Sequence, residues 1–474
     1  MVGGVFHDAP HSVRMDVTFG TDGWRTTVDE FTTPRIRAVG QAVATHLRET
    51  TDSSTTDLAV AVGYDPRETS RPAAEELSRV LCANGIDVVF ADRDTPTPAV
   101  AWTVTDRGLA GALQVTASHN PPEYNGIKFI PSDGAPAPAD VTGRLAAHLG
   151  APNPRPESAW GRVREADLIT PYLDHAFAFV DADCTGVTVA YDSMYGSGRD
   201  VTDTLLARAG AEVVRLRETE DPTFGGTPPE PSAERLGELT TRVEAGDAAF
   251  GIANDGDADR IAVVTSERGY VHPNDLYVLL YDYLLEADAG DAVRTVSTTF
   301  RVDRVAEAHG HHVHETPVGF KHVARAMADH DALFGGEESG GFGVRDHLRN
   351  KDGVLVALLV AAAHTEEALD DRLDRLESTY GTAIGDRIGV ECPDDRKQAV
   401  LAALEDEIPD AVAGATVERV STVDGFKLLL EDGSWLLVRP SGTEPKLRVY
   451  AEAETEDRVT ELLTAGRALV ESVS

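Results

Sequence analysis

Four short segments carry residue types that could act together in catalysis. The first, Thr116-Ala117-Ser118-His119-Asn120-Pro121-Pro122, follows an apolar run, Ala112–Thr116, that reads as a strand. A serine at the end of a strand stands where α/β folds place ligands. Its neighbour His119 could take or supply a proton. The same residues would also suit a plain turn, since Asn-Pro and Pro-Pro are common turn dipeptides. No Gly-x-Ser-x-Gly elbow surrounds Ser118, so a hydrolase triad is not the expected form.

The second segment is Asp255-Gly256-Asp257-Ala258-Asp259-Arg260. Three carboxylates at alternate positions of a Gly-containing loop can converge on one hard cation, which takes oxygen ligands. A solvated acidic loop is the plainer alternative. Against it, Asn254–Arg260 interrupts two apolar runs, AAFGIA and IAVV, which places the loop between buried strands. An EF-hand is excluded, because its sixth position would be Arg260 where Gly is needed and its twelfth Ser266 where Glu is needed. Three protein oxygens suit Mg²⁺, which keeps other positions for water or phosphate.

Two further segments lie towards the C-terminus. Gly335-Gly336-Glu337-Glu338-Ser339-Gly340-Gly341 has neither the Rossmann nor the Walker spacing, and no Gly-Lys dipeptide occurs anywhere in the chain. Its two carboxylates would repel phosphate and suit neutral hydroxyls, unless the stretch is only a flexible linker. Arg439-Pro440-Ser441-Gly442-Thr443-Glu444-Pro445-Lys446-Leu447-Arg448 offers two hydroxyls and backbone N–H groups around Gly442 as an anion nest, with Arg439 adding a bidentate fork. A surface turn is the competing reading.

These segments must be positioned by a large scaffold. At 474 residues the chain exceeds a single core and calls for several domains. Strand-like runs such as Leu58–Tyr64, Ile86–Phe90, Val187–Tyr191 and Ala248–Ile252 alternate with helical patterns such as Arg71–Ala83, Asp200–Ala209 and Asn274–Glu286. A third cycle places strands near Thr295–Ser297 and His312–Glu315. This rhythm indicates βαβ units in mixed or parallel sheets. After about residue 383 the order changes to Phe426–Leu430, Trp435–Val438 and Leu447–Ala451, set between helical patterns, which reads as α+β. The expected organisation is therefore a flexible arm (1–15), three related α/β domains with mixed sheets (16–155, 156–266, 267–382) and a C-terminal α+β domain (383–474).

Composition narrows the partners. A formal net charge of −37 leaves no basic stripe, so nucleic acid and anionic membranes are not expected partners. The longest apolar run, Val354–Ala363, is too short to span a bilayer. The N-terminus shows no signal-peptide pattern, and the three cysteines, Cys82, Cys184 and Cys392, build neither a disulfide framework nor a CxxC zinc site. A cytoplasmic location is expected. Only six lysines occur (128, 321, 351, 397, 427 and 446) among 43 basic residues. Lysine avoidance with a strongly acidic surface points to adaptation to high salt, and it makes each remaining lysine informative.

Taken in order, the segments resemble the α-D-phosphohexomutase superfamily, which includes phosphoglucomutase, phosphomannomutase and phosphoglucosamine mutase. The matching pieces are Phe19-Gly20-Thr21-Asp22-Gly23-Trp24-Arg25, Thr116–Pro122 with Asn125-Gly126-Ile127-Lys128, Asp255–Arg260, Gly319-Phe320-Lys321, Gly336–Gly341 and Arg439–Pro445. The resemblance implies four domains around a central cleft. It implies that Ser118 carries a phosphoryl group, and that Ser118, Asp255, Asp257 and Asp259 hold one Mg²⁺ per chain. The implied reaction interconverts hexose 1-phosphate and hexose 6-phosphate, of glucose and/or mannose, through phosphorylated Ser118 and a hexose 1,6-bisphosphate intermediate. Arg439, Ser441, Gly442, Thr443 and Arg448 would bind the substrate phosphate, and Glu337 and Ser339 the sugar hydroxyls. Arg25, Lys128, Arg260 and Lys321 would offset the acidic field, with Lys128 or His119 handling the proton. The partners would be small sugar phosphates. Alternatives are a phosphoglucosamine mutase, a sugar-phosphate phosphatase, or a non-catalytic Ca²⁺-binding protein. One departure stands out: Gly341 replaces the histidine that many bacterial dual-specificity members of the superfamily carry.

Overall fold

The computed structural model describes residues 17–20, 22–51, 58–442 and 444–473; the expected arm at 1–15 lies outside the described residues. The chain divides into two units, one ending at His272 but including Ser339–Asp370, the other comprising Pro273–Glu338 and Asp371–Ser474.

In the first unit, apolar runs become central strands. Ala59–Tyr64 is buried from Val60 onwards and pairs in parallel with both Asp87–Ala91 and Gly111–Val115. Parallel strands covered on both faces read as continuous hydrophobic runs, which is why these were legible. They form part of a seven-stranded mixed sheet that Val163–Ala166 extends at one edge. At the other side Tyr124–Pro131 pairs antiparallel with Gly111–Val115 and with Gly23–Thr27. Those two strands were not expected, because YNGIKFIP and GWRTT mix glycine and polar residues and show no clean alternation. A second, five-stranded sheet runs Gly269–Val271, Ile261–Thr265, Phe250–Asn254, Thr188–Asp192, Glu212–Leu216. Phe250–Asn254 and Ile261–Thr265 form an antiparallel pair, so the three-aspartate loop joins two buried strands as expected.

The same unit contains the helix Gly353–Glu366, in which every residue from Gly353 to Ala363 is buried. Such a helix is apolar all round because no face meets water. Asp352 caps it, accepting from Val354 N at 3.0 Å and Leu355 N at 2.8 Å. Among the described residues no helix is long and apolar enough to cross a membrane.

In the second unit, Ala292–Thr295 pairs in parallel with Val313–Thr316 and with Phe334–Gly336. The strand expected near Thr295–Ser297 thus lies earlier in the chain. Thr298 N donates to Thr295 O at 3.1 Å, and the chain turns there instead of extending. The C-terminal domain is an antiparallel six-stranded sheet in the order Ile384–Glu391, Lys446–Ala453, Trp435–Pro440, Phe426–Leu430, Ala415–Ser421, Ala411–Val412. The helix Glu456–Ser472 buries Leu462, Leu463 and Val470 in the core of this domain. A small cluster of Val296, Trp435, Leu437 and Tyr450 joins the two domains of this unit. Beside it Lys427, 1% exposed, donates to Val296 O at 2.6 Å and faces the rings of Phe300 and Trp435 at 4.1 and 4.2 Å.

Candidate active site

Ser118 follows the carboxyl end of the strand Gly111–Val115 and has φ +51°, a left-handed conformation that costs a non-glycine residue energy and is often found at functional sites. The surroundings hold it there. Its N–H donates to Thr116 Oγ1 at 2.7 Å. Arg67, 3% exposed, donates to the carbonyls of Ser118 (2.8 Å), Asn120 (2.7 Å), Pro121 (2.7 Å) and Tyr124 (3.0 Å), while its Nε donates to Asp65 at 2.9 Å. One guanidinium therefore organises the whole serine loop.

The three-aspartate loop meets this loop backbone to backbone. A Cβ on Gly256 would lie 2.7 Å from Ser118 O, so only glycine allows the approach. Ser118 Oγ donates to Asp255 Oδ2 at 2.6 Å, and His119 Nδ1 lies 3.4 Å from the same Oγ. Asp255, Asp257 and Asp259 are buried, each offering an oxygen within 4.8 Å of the others. Burial, then Asp257 and Asp259, push the Asp255 carboxyl well above the carboxylate range.

Two lysines neutralise part of this cluster. Lys128 Nζ lies 2.8 Å from Asp257 Oδ2, 2.7 Å from Asp259 Oδ2 and 3.1 Å from Asp22 Oδ2. Lys351 Nζ lies 2.8 Å from Asp259 Oδ2 and 3.4 Å from Asp22 Oδ2. Thr97 Oγ1 also donates to Asp257 Oδ2, at 2.5 Å. Burial opposes the charge of Lys128, but Asp22, Asp257 and Asp259 outweigh it and hold the lysine well above its usual range. Burial likewise opposes ionisation of Asp259, which Lys128 and Lys351 hold below the ordinary carboxylate range. The remaining oxygens, Asp257 Oδ1 and Asp259 Oδ1, are buried with no hydrogen-bond partner among the described residues. Buried carboxylate oxygens rarely go unsatisfied. Together with Asp255 and Ser118 Oγ, they form an oxygen set that fits a hard divalent cation.

Of the other expected residues in this unit, Arg25 donates to Asn120 Oδ1 at 3.0 Å and to Asp22 at 3.3 Å. Arg260 N donates to Asp255 Oδ1 at 3.1 Å, with its guanidinium 3.9 Å from Asp259 Oδ1. Burial, then Arg260, Arg25 and Lys351, hold the His119 imidazole well below its ordinary value. Ser339 Oγ is buried with no partner among the described residues. Arg67, Asp22, Thr97 and Lys351 were not singled out from the sequence as site residues. Lysine scarcity was a signal for Lys351, since it, Lys128, Lys397 and Lys427 are all buried.

The second unit holds the remaining candidates. Lys321 lies in the first turn of the helix Phe320–His330, and Gly319, just before it, donates its N–H to Glu337 Oε1 at 2.9 Å. Arg439 Nε donates to Asp424 Oδ2 at 2.8 Å, and the same oxygen accepts from Val318 N at 3.1 Å. The turn after Arg439 is tied by Lys397, whose Nζ donates to Ser441 O and Glu444 O, both at 2.6 Å. Ser441 belongs to the turn read as an anion nest around Gly442. Its N–H is spent on Lys446 O at 3.0 Å, and its Oγ accepts from Glu444 N at 3.2 Å. Gly442 N–H and the Arg439 fork stay among the candidates for anion contact, beside the Ser441 hydroxyl. Arg448 pairs with Glu444. Thr443 lies outside the described residues.

Comparison with known proteins agrees with this architecture. Models of phosphoglucomutase/phosphomannomutase α/β/α domains I, II and III match residues 16–153, 170–269 and 272–380, and that of the C-terminal domain matches 388–467. The chain belongs to the phosphoglucomutase/phosphomannomutase family, whose members are intramolecular phosphotransferases. It is 34% identical to the "Probable phosphoglucosamine mutase" of Methanopyrus kandleri, over 94% of this chain and 95% of that one. It is 31% identical to the phosphoglucomutase/phosphomannomutase of Thermococcus kodakarensis, over 96% and 99% of the two chains. The solved structure of a phosphoglucomutase/phosphomannomutase family protein from Burkholderia thailandensis shares the fold, with a TM-score of 0.84, 22% identity and 98% coverage of both chains.

Proposed function

We propose that this phosphohexomutase interconverts the 1- and 6-phosphates of glucose and mannose, with Ser118 as the phosphoryl carrier. The observation that carries the reading is the hydrogen bond from Ser118 Oγ to Asp255, inside a buried three-aspartate cluster that retains two unsatisfied oxygens. Phosphoryl transfer needs mainly positioning and compensation of spreading negative charge.

The left-handed backbone at Ser118, fixed by Arg67, aims Oγ at the cluster. Phosphorylated Ser118 would pass its phosphoryl group to a sugar hydroxyl, and the resulting bisphosphate would return its other phosphoryl group to Oγ. The P–O bond to Ser118 breaks as one to the sugar oxygen forms, and the hydroxyl proton leaves with a base. His119 Nδ1 suits that task, being neutral and 3.4 Å from Oγ. Lys128 does not, since three carboxylates keep its proton in place and it has no lone pair to offer. Its role in this reading is to hold Asp257 and Asp259. Asp255, Asp257, Asp259 and Ser118 Oγ would hold Mg²⁺, which when bound supplies positive charge to a phosphoryl oxygen. Arg439 and Gly442 are the proposed phosphate ligands, and Glu337 and Ser339 the proposed hydroxyl ligands.

Glucosamine phosphate is the second reading, favoured by the name of the Methanopyrus relative. Against it, what the resemblance implies is a glutamine in glucosamine members at the position where this chain has Glu338. A coupled assay with glucose, mannose and glucosamine 1-phosphates, in high KCl with Mg²⁺, separates the readings. Intact mass of the purified protein should show a species one phosphate heavier, absent from S118A along with most activity. Near-wild-type turnover by S118A would sink the assignment. Free phosphate in place of an isomerised sugar would indicate a phosphatase.

A further inference from the structure

We propose that Asp424 is a positioning residue that aims the Arg439 guanidinium and ties it to the backbone holding Glu337. The inference rests on the reading of Arg439 as a phosphate ligand and extends it to a residue with no chemistry of its own.

The geometry begins with a turn. Asp424 and Gly425 lie between the strands Ala415–Ser421 and Phe426–Leu430. Gly425 has φ +85°, and a Cβ there would lie 2.2 Å from Val438 O and 2.8 Å from Arg439 Cα. Glycine alone lets this turn pack against the backbone of Arg439 and bring the Asp424 carboxylate beside its side chain. The contact made is to Nε, at 2.8 Å. A carboxylate on Nε fixes the plane of the guanidinium while leaving its two terminal nitrogens as a parallel pair of donors, the arrangement that recognises phosphate in bidentate fashion. Both side chains are largely buried, at 17% and 11% exposure, so the ion pair is shielded from competing water.

The same Asp424 oxygen accepts from Val318 N at 3.1 Å, and the next residue, Gly319, donates its N–H to Glu337 Oε1 at 2.9 Å. A continuous path therefore runs from Arg439 through Asp424, Val318 and Gly319 to Glu337. It joins the C-terminal domain, at Arg439, to the domain that carries Glu337. An arginine whose orientation is set by a carboxylate already bonded to that backbone would engage a phosphate in register with the hydroxyl ligand.

Steady-state kinetics on the full chain test this, using wild type, R439A, D424A, D424N and the D424A/R439A double variant. Glucose 1-phosphate serves as substrate and inorganic phosphate as competing ligand. D424A should raise KM and weaken phosphate inhibition about tenfold, which corresponds to the loss of one charge-assisted hydrogen bond, with kcat changed much less. D424N, which keeps an acceptor oxygen but not the charge, should fall between wild type and D424A and serves as the folded control. The double variant should bind no worse than R439A, because Asp424 acts through Arg439. The inference is overturned if R439A impairs binding while D424A and D424N do not, or if the double variant loses the full product of the two single effects. If R439A leaves KM and phosphate inhibition unchanged, the phosphate-ligand reading itself fails.

Discussion

Lys351 occupies the space that a side chain at position 341 would need: a Cβ built on Gly341 would lie 2.4 Å from Lys351 Cδ and 2.8 Å from Cγ. The glycine that departs from the histidine of many bacterial relatives is thus matched by a lysine stem, and the ammonium at its end meets Asp259. Gly341→Ala should push the Lys351 stem aside at an overpacking cost of about 1–3 kcal/mol. Loss of its support for Asp259 should weaken metal binding and turnover about 10- to 100-fold, as for other groups that orient metal ligands. Calorimetric Mg²⁺ titration alongside the mutase assay checks both; unchanged affinity would show that Lys351 tolerates the added methyl.

Asp257→Asn tests the oxygen cluster directly. The amide keeps an acceptor for Lys128 and Thr97 but removes a charge from the cation site. Turnover should fall on the order of 100-fold, about 2.7 kcal/mol of barrier, with partial recovery at high Mg²⁺. Equal rates with and without EDTA would remove the metal from the reaction.

Lys427 predicts a pH dependence of stability that is separate from catalysis. Burial, then Arg294, push its ammonium down to about 7, against the pull of Glu315 and Glu452. An unfolded lysine keeps its proton to roughly pH 10.4. Between pH 7 and about 10 the unfolded chain binds the extra proton, so wild-type stability gains with rising pH, by at most about 1.4 kcal/mol per pH unit. Below pH 7 both states are protonated and this contribution is flat. Chemical denaturation of wild type and K427M from pH 6 to 9.5 should show wild type gaining on the variant only above pH 7. Parallel curves across the range would mean that the two aromatic faces and the carbonyl keep the ammonium charged.

The net charge of −37 predicts dependence on salt. Lowering KCl from about 1 M to about 0.1 M lengthens the screening distance from about 3 to about 10 Å and restores self-repulsion. Tm should rise steadily with KCl. A flat response would refute adaptation to high salt.

The strands that carry Ser118 and Asp255 were legible because buried parallel strands are continuous apolar runs, and the residues after them stood out by type. Lys128 was legible as a residue but not as part of a strand, since YNGIKFIP looks like a turn until its antiparallel partners are known. Arg67 could not be singled out, because its role comes from four carbonyls brought within reach of one side chain by folding. The same holds for Asp424, whose two donors lie 106 and 15 positions away in the chain. The anion nest around Gly442 was read from two hydroxyls and the backbone N–H groups beside them, and the structure shows that one of those amides, that of Ser441, is bonded to Lys446 O.

The chain leaves the first unit after His272 and returns to it only at Ser339. During synthesis the serine loop and the aspartate loop are therefore complete long before Lys351 and the buried helix Gly353–Glu366 emerge. That helix packs against the helices Ile169–Val180 and Thr202–Arg208 and the strands beside the aspartate loop. At about 5–20 residues per second, the roughly 100 intervening residues take on the order of 5–20 seconds to make. Until then the nascent unit carries a clustered negative charge without one of its two lysines and an apolar surface without its cover. The aspartate-loop domain is therefore completed only by residues made after the chain has left it, and a ribosome-bound chain stalled near residue 272 would lack the helix that covers it.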